Sequence, residues 1–414
     1  MSRLKAYNVI YKDIKYPGYC ASIGVMHSAT NPYSPGAGRS PFGLAGRTAL
    51  TNDFDLLISR AAAGRTDRGI VLHGLHGVGK TVLLNDFRRR AENAGFLVVS
   101  LEGRDADGGP KAVRAKLARG LLQAGRKANS RGNTPALAAA LGTIASFASG
   151  LQVSGIDVGV GERHGRGDSG AFAVDLEETV EDTAVALAER SSALIFVVDE
   201  LQNLDAGLLA ALLGAQHQAG QRDWPFYLVA AGLPNLPAAL TASQRYAEGL
   251  FTYRSVGALD REDSASALVA PALEQGVSYD PEALDLLLNA AGGYPYFLQE
   301  YGSAAWESAP EKRITADDAR IAVEIGRAQL DQGFFPLRWR RATKAEREFL
   351  RLMAIDGPGG SSTATLAARA GKKMTSMTMT RGSLIRKGII YAPELGQVSF
   401  TVPGMADYVR RVTA

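Results

Sequence analysis

A parallel α/β core, then an all-helical segment, then a basic C-terminal module is the architecture predicted for this 414-residue chain. Three observations carry it. Short apolar runs alternate with amphipathic helical patterns from Gly69 to Arg254, the arrangement of a parallel sheet with crossover helices. A glycine-rich loop joins the first of these strands to its helix. From Asp260 the pattern becomes purely helical, and residues 332–414 then hold 14 Lys and Arg against 5 Asp and Glu, giving +9 in a chain whose total is +4. At 46% hydrophobic and 21% charged, the chain is unlike a disordered one and can bury a sizeable core.

Taken in order, Met1 to Thr30 shows no clear period, and Met26 is an alternative start. Lys12, Asp13, Lys15 and Pro17 break up Tyr7–Tyr19, so no secretory leader is expected. The single Cys20 excludes an internal disulfide and a Cys-rich zinc module, which points to a reducing cytoplasm. Asn31 to Pro41 reads as a turn-rich linker. The longest uncharged stretch, Gly132 to Ile156, is rich in Ala, Gly, Ser and Thr, so a buried segment is expected there and no membrane contact. The domain boundaries read from these shifts are a leader and linker over 1–35, a core over 36–259 with an insertion at 126–170, a helical lid over 260–331 and a C-terminal module over 332–414.

Within the core, Gly69–His73 reads as a buried strand and Val82–Phe87 as an amphipathic helix. Between them, Gly74-Leu75-His76-Gly77-Val78-Gly79-Lys80-Thr81 fits the phosphate-binding loop pattern, with Val82 continuing it into the helix. Glycines let backbone N–H groups curl around phosphate oxygens. Lys80 supplies a point charge for the β and γ phosphates, and Thr81 offers a hydroxyl to Mg²⁺. Strand, loop and helix in that order put the phosphates at a helix N-terminus, where the dipole favours anions. ATP and Mg²⁺ are the expected ligands.

Whether the nucleotide is hydrolysed depends on an acid at the end of another buried strand. Ser191–Val198 is such an apolar run, and it ends in Asp199-Glu200. Asp199 is expected to hold Mg²⁺ through its water shell, and Glu200 to polarise the attacking water. Gly95–Leu101 fits as an extra strand between loop and acid. Pro110–Gly125 is a helix covering the sheet. The insertion is Ala-rich first, and then Leu151–Val160 alternates and turns like a hairpin; Arg166-Gly167-Asp168 within it is a chance tripeptide. Leu176–Arg190 and Leu204–Gln218 are helices, Pro225–Gly232 is another buried strand, and Tyr246–Arg254 holds a helix end and the last core strand. The lid is expected as helices over Ser264–Glu274, Pro281–Ala290, Tyr294–Glu307 and Ala316–Leu330, with Pro295 opening the third.

In the C-terminal module, Thr343–Ile355, Ala364–Ala370 and Thr375–Lys387 read as helices, followed by Gly388–Tyr391 and Gln397–Phe400 as a hairpin. This is the pattern of a winged helix-turn-helix. Lys372, Lys373, Thr375, Thr378, Arg381 and Arg386 form a polar and cationic set on or just before the third helix, suited to phosphates and base edges of double-stranded DNA.

The loop, Asp199-Glu200, Leu44-Ala45-Gly46-Arg47, Gly293-Tyr294-Pro295 and the terminal winged helix together resemble the bacterial AAA-type ATPases related to origin-recognition and archaeal ATPases, close to the STAND group. The resemblance spans about Asn31 to Ala414. It implies a P-loop NTPase core in which the loop and Asp199-Glu200 are Walker A and Walker B sites. It also implies an adenine pocket lined by Gly46 and Arg47, and a Gly-x-Pro turn whose Pro295 contacts the base. In the family a polar sensor sits at the tip of the strand Pro225–Gly232. Gly232-Leu233-Pro234 offers none, which leaves Asn235. The family string runs Tyr-Ala-Glu-Arg-Leu-Phe, whereas this chain has Gly249 in place of the arginine; if that arginine acts in trans, Arg245 or Arg254 must substitute or turnover is slow.

The expectation that follows is an ATP-hydrolysing switch, self-associating when ATP-bound, that couples nucleotide state to DNA binding through the basic C-terminal module. The alternative is a nucleotide-gated signalling or scaffold module, with slow or no turnover, whose winged helix docks a protein partner. A third reading, a metabolic kinase, lacks a recognisable substrate pocket.

Overall fold

The computed structural model describes residues 28–413 apart from 37, 104–108, 133 and 154–156. Cys20, Met26 and most of the expected leader lie outside the described residues. The chain divides into two compact units. One comprises Ala49–Leu75 and Lys80–Val256, and the other the described part of Met1–Thr48, the loop tip His76–Gly79 and the segment from Gly257.

The first unit is built on a five-stranded parallel sheet of order β2-β3-β4-β1-β5, with β1 Gly69–His73, β2 Leu97–Glu102, β3 Leu194–Asp199, β4 Phe226–Gly232 and β5 Phe251–Ser255. β3 is buried along all but its last residue and β4 along its whole length, which is why both read as continuous apolar runs. Gly69 opens β1 without a side chain because a Cβ there would collide with the Leu228 carbonyl. The strand that separates β1 from β3 in space is β4. The run expected between loop and acid, β2, lies at the sheet edge. Only hydrogen-bond register, which periodicity does not encode, distinguishes these placements.

Helices 109–130, 135–150, 172–188 and 206–222 form an apolar layer in this unit, with Leu121, Leu141, Ile144, Leu176 and Leu212 almost fully buried. Residues 154–156 of the hairpin expected over 151–160 lie outside the described residues, and no strand forms among the described residues there. Val153 and Val158 are buried in the core, and Asn129 Nδ2 donates to the Val158 carbonyl at 2.9 Å. The uncharged stretch is the buried helix Pro135–Gly150, capped by Thr134, whose side chain accepts from the Leu137 N–H. Among the described residues no helix is long and apolar enough to cross a membrane.

In the second unit, helices 261–274, 281–291, 295–308 and 316–329 pack together with a two-stranded parallel ribbon, β6 Ser278–Tyr279 and β7 Arg313–Ile314. Residues 31–35, expected as a linker, are anchored here. Tyr33 is 4% exposed, its hydroxyl donates to the Leu268 carbonyl at 2.5 Å, and its ring lies where a side chain on Gly302 would sit. Beyond a π-helical turn at Leu330–Phe334 come helices 344–356, 363–369 and 374–386. An antiparallel sheet of order β8-β10-β9 (Ser361–Ser362, Gln397–Phe400, Ile390–Tyr391) follows, and then helix 405–413, which the sequence pattern did not announce. Aromatic rings join the two halves of this unit: Tyr296 stacks on Phe334 at 4.6 Å, Phe334 meets Phe335 edge-on at 5.4 Å, and Phe335 stacks on Tyr408 at 5.2 Å. Arg411 adds an ion pair to Asp331 at 2.6 Å.

Candidate functional site

The phosphate loop leaves β1 and enters helix 80–93. Its Gly74 N–H donates to the Gly232 carbonyl at the end of β4, 3.1 Å away. Gly77 and Gly79 sit at φ +83° and +96°, in the left-handed region that favours glycine. Lys80 is 5% exposed, and its ammonium donates to the carbonyls of Gly74 at 2.9 Å and Leu75 at 2.8 Å. Burial pushes its pKa down, against the opposing pull of Glu200 and Asp199. A buried ammonium held only by carbonyl oxygens is a cation ready for phosphate.

Thr81 Oγ1 donates to Asp199 Oδ2 at 2.5 Å. Burial raises the Asp199 pKa, and the Thr81 hydrogen bond opposes that rise. This pair of hard oxygen donors fits Mg²⁺, which is characteristically held by one or two carboxylates plus substrate phosphates rather than an all-protein cage. No cluster of three or more His, Cys, Asp or Glu able to hold a metal occurs among the described residues.

Glu200 follows at φ 51°, ψ 46°, an unusual left-handed conformation for a non-glycine residue. Its Oε2 accepts from Gln202 Nε2 at 2.5 Å. Loop, Thr81, Asp199 and Glu200 are thus joined at the C-terminal edge of the sheet, the edge where ligands of open α/β sheets bind.

The loop tip belongs to the other unit. There Arg47 Nη2 donates to the Val78 carbonyl at 3.1 Å and to the Gly257 carbonyl at 2.5 Å, while Gly46 (φ +66°) leaves no room for a Cβ beside Asp263. Burial lowers the Arg47 pKa, offset by the Asp263 carboxylate. Pro295 opens helix 295–308 as expected, the Tyr296 N–H donates to the Gly77 carbonyl at 3.3 Å, and a Cβ on Gly77 would come within 3.0 Å of the Tyr294 ring. The His76 N–H donates to the Thr401 carbonyl at 3.1 Å, and its imidazole lies beside Gly388. Tyr294, Tyr296 and Thr401 were not singled out from sequence for this contact.

The remaining candidates are dispersed. Asn235 caps helix 236–243 without a side-chain cap bond, Arg245 is exposed, and Arg254 is committed to Asp53 at 2.6 Å. Lys372, Lys373, Thr375, Thr378 and Arg386 are exposed on or beside helix 374–386, although Thr378 Oγ1 turns back to the Met374 carbonyl at 3.3 Å. Arg381 is half-buried, with its Nε unpartnered.

The match to a family model agrees with this geometry. Residues 43–229 match the AAA ATPase domain, and residues 332–409 match a domain of unknown function, DUF8462. No curated protein matches the chain. Among solved structures, it is similar to a Walker-type ATPase of Pyrococcus abyssi with a TM-score of 0.58 at 13% identity, covering 89% of this chain and 96% of that one. It also matches the Aeropyrum pernix ORC1 protein in complex with DNA (TM-score 0.47, 17% identity, 90% and 94% covered). A third match is the Thermotoga maritima RuvB Holliday junction branch migration motor (TM-score 0.44, 14% identity, 86% and 92% covered). The Pyrococcus likeness shows the fold. With the loop and its acids in register on the sheet edge, the chain carries an AAA-type P-loop ATPase domain over residues 43–229, the class of domain that hydrolyses ATP.

Proposed function

We propose that this ATPase is a switch in which Mg-ATP at the phosphate loop controls the C-terminal module, a winged helix over 332–414 that engages duplex DNA. The observation that carries the coupling is the His76 N–H to Thr401 carbonyl bond at 3.1 Å, between the loop tip and that module within one compact unit. A loop that tightens around phosphates changes the position of this amide, and the aromatic stack from Tyr296 to Tyr408 gives the module a second stiff connection to the helical segment over 260–331, read here as the lid. Lys80 would draw in the phosphates, Thr81 and Asp199 would hold the metal, and Glu200 would take the proton of the attacking water. When bound, Mg²⁺ neutralises charge developing on the phosphate oxygens.

The test is ATP turnover with and without duplex DNA at two salt concentrations, beside Lys80→Ala and Glu200→Gln. DNA-stimulated turnover lost in both variants is the expected outcome. A Lys372→Ala/Lys373→Ala/Arg386→Ala variant is expected to lose DNA affinity, with the log–log salt slope flattened by about 0.9 per phosphate contact removed. Unchanged DNA affinity in that variant overturns the DNA reading.

A second reading is favoured by a specific feature of the same module. Met379 is 84% exposed, Met374 50% and Leu395 103%, and the turn that bears Leu395 holds Glu394 rather than a cation. Exposed methionines suit a protein surface. Binding that is insensitive to salt, together with tight ATP binding and negligible turnover, would favour the nucleotide-gated docking module.

A further inference from the structure

The tip of β4 was expected to supply a polar group near the reacting phosphate, and Gly232-Leu233-Pro234 has no polar side chain to offer. A polar side chain reaches the end of β4 from elsewhere in the structure. Gln202 sits in the short turn Leu201–Asn203 just past the acids, with Nε2 donating to Glu200 Oε2 at 2.5 Å and Oε1 accepting from the Leu233 N–H at 3.3 Å. Both ends of the amide are fixed by chemistry, since a carboxylate only accepts and a backbone N–H only donates. Gly232 makes the approach feasible, because a Cβ there would collide with Gln202 Oε1.

The same Gly232 carbonyl accepts the N–H of Gly74, the first residue of the phosphate loop, at 3.1 Å. A continuous path therefore runs from Gly74 through Gly232 and Leu233 to the Gln202 amide and on to the Glu200 carboxylate, wholly within the unit that holds the sheet. The Glu200 backbone is itself fixed: its carbonyl accepts from Asn203 N at 2.9 Å, and a Cβ on Gly103 would strike it. What Gln202 adds is control of the side chain.

We infer that Gln202 is a positioning residue that holds the Glu200 carboxylate for water activation and ties its placement to the phosphate loop through the end of β4. The inference rests on the reading of Glu200 as the water-activating base. No other amide or acid substitutes simply. Asn is one methylene shorter, and Glu at 202 presents a like charge to Glu200 and cannot donate while ionised.

The test compares Gln202→Ala, Gln202→Asn and Gln202→Glu with wild type and Glu200→Gln. Steady-state turnover, equilibrium ATP binding and amide hydrogen exchange at Leu233 are the readouts. Gln202→Ala is expected to lower kcat about 10- to 100-fold, with KM and ATP affinity held within about threefold and Leu233 exchange accelerated about tenfold. Gln202→Glu is expected to be as impaired at neutral pH and to recover relative to wild type as pH falls, because a protonated carboxyl donates again. A kcat that Gln202→Ala leaves unchanged overturns the inference, as does equal loss of ATP affinity and kcat or unaltered Leu233 exchange. Glu200→Gln separates the two levels. If it retains wild-type turnover, the base assignment fails and this inference with it; if it is inactive while Gln202→Ala behaves as wild type, only the inference fails.

Discussion

The base and the tip of the phosphate loop are held by different kinds of interaction. At the base, Lys80 and Thr81 are fixed through side chains, by loop carbonyls and by Asp199. At the tip, His76, Gly77 and Val78 are reached through their backbone, by the Thr401 carbonyl, the Tyr296 N–H and Arg47. Side-chain contacts demand particular residue types at particular spacings. Backbone contacts demand only position, which many residues satisfy. Side-chain identity is therefore constrained at Lys80 and Thr81, whereas at the tip it is constrained at Gly77 by backbone conformation and packing and left open at His76 and Val78 by their backbone contacts.

The largest effect tests the chemical end. Glu200→Gln removes a proton acceptor while keeping shape, so turnover is expected to fall about 10²- to 10⁴-fold. ATP binding should persist. Loss of binding together with turnover would mean that Glu200 supports the loop rather than the reaction, and would blur the contrast between base and tip.

A second measurement asks how firmly the C-terminal module is built. Glu346 is buried. Burial opposes its ionisation, yet hydrogen bonds from Lys387 at 2.6 Å, from Ser383 and from Thr343 outweigh this and hold its pKa at about 2, below the ordinary 4.5. Because the folded value lies below the unfolded one, the stabilisation is fully present above pH 4.5 and is lost as pH falls toward 2. The size is on the order of 3 kcal/mol. Glu346→Gln should flatten acid unfolding of the module in that window, and an unchanged acid transition would assign the loss to other carboxylates.

How much of this was legible follows from the same contrast. The strands β1, β3 and β4 were visible because strands buried on both faces are continuously apolar, and the neighbourhood of Thr81 and Asp199 because a Gly-rich loop and an acid at the end of buried parallel strands meet at one sheet edge. The order of β2 and β4 was not, since backbone hydrogen bonding sets it. Val153 and Val158 are apolar because both are buried in the core, and burial alone, without a strand, puts apolar residues into a short segment. Gln202 was legible in principle as a polar residue two positions after the base. Its partner, the Leu233 N–H, carries no letter of its own. Arg254 looked available because its partner Asp53 is 201 residues away in sequence.

A third test lies at the tip. Gly77 and Gly79 both have positive φ, but a Cβ on Gly77 meets the Tyr294 ring at 3.0 Å and the Tyr296 Cβ at 3.3 Å, whereas one on Gly79 meets nothing within 4 Å. Alanine at either position carries the left-handed penalty. Only at Gly77 does it also push on packed tyrosines, so Gly77→Ala is expected to destabilise nucleotide-free protein by about 1 kcal/mol more than Gly79→Ala. Equal losses in thermal unfolding would remove the tyrosines from the account.

The smallest effect is the most direct test of a coupling borne by the backbone. His76→Pro deletes the N–H that donates to the Thr401 carbonyl and is expected to cost about 0.5–1.5 kcal/mol in the nucleotide-free state. His76→Ala keeps that N–H and removes the imidazole, which lies beside Gly388, so the comparison separates amide from side chain. Thermal unfolding of both variants decides the order. If alanine costs as much as proline, the imidazole carries the contact, the tip is held by a side chain after all, and His76 belongs with the residues whose identity the fold constrains. If proline alone is costly, the C-terminal module reads the loop through an amide that any residue but proline supplies.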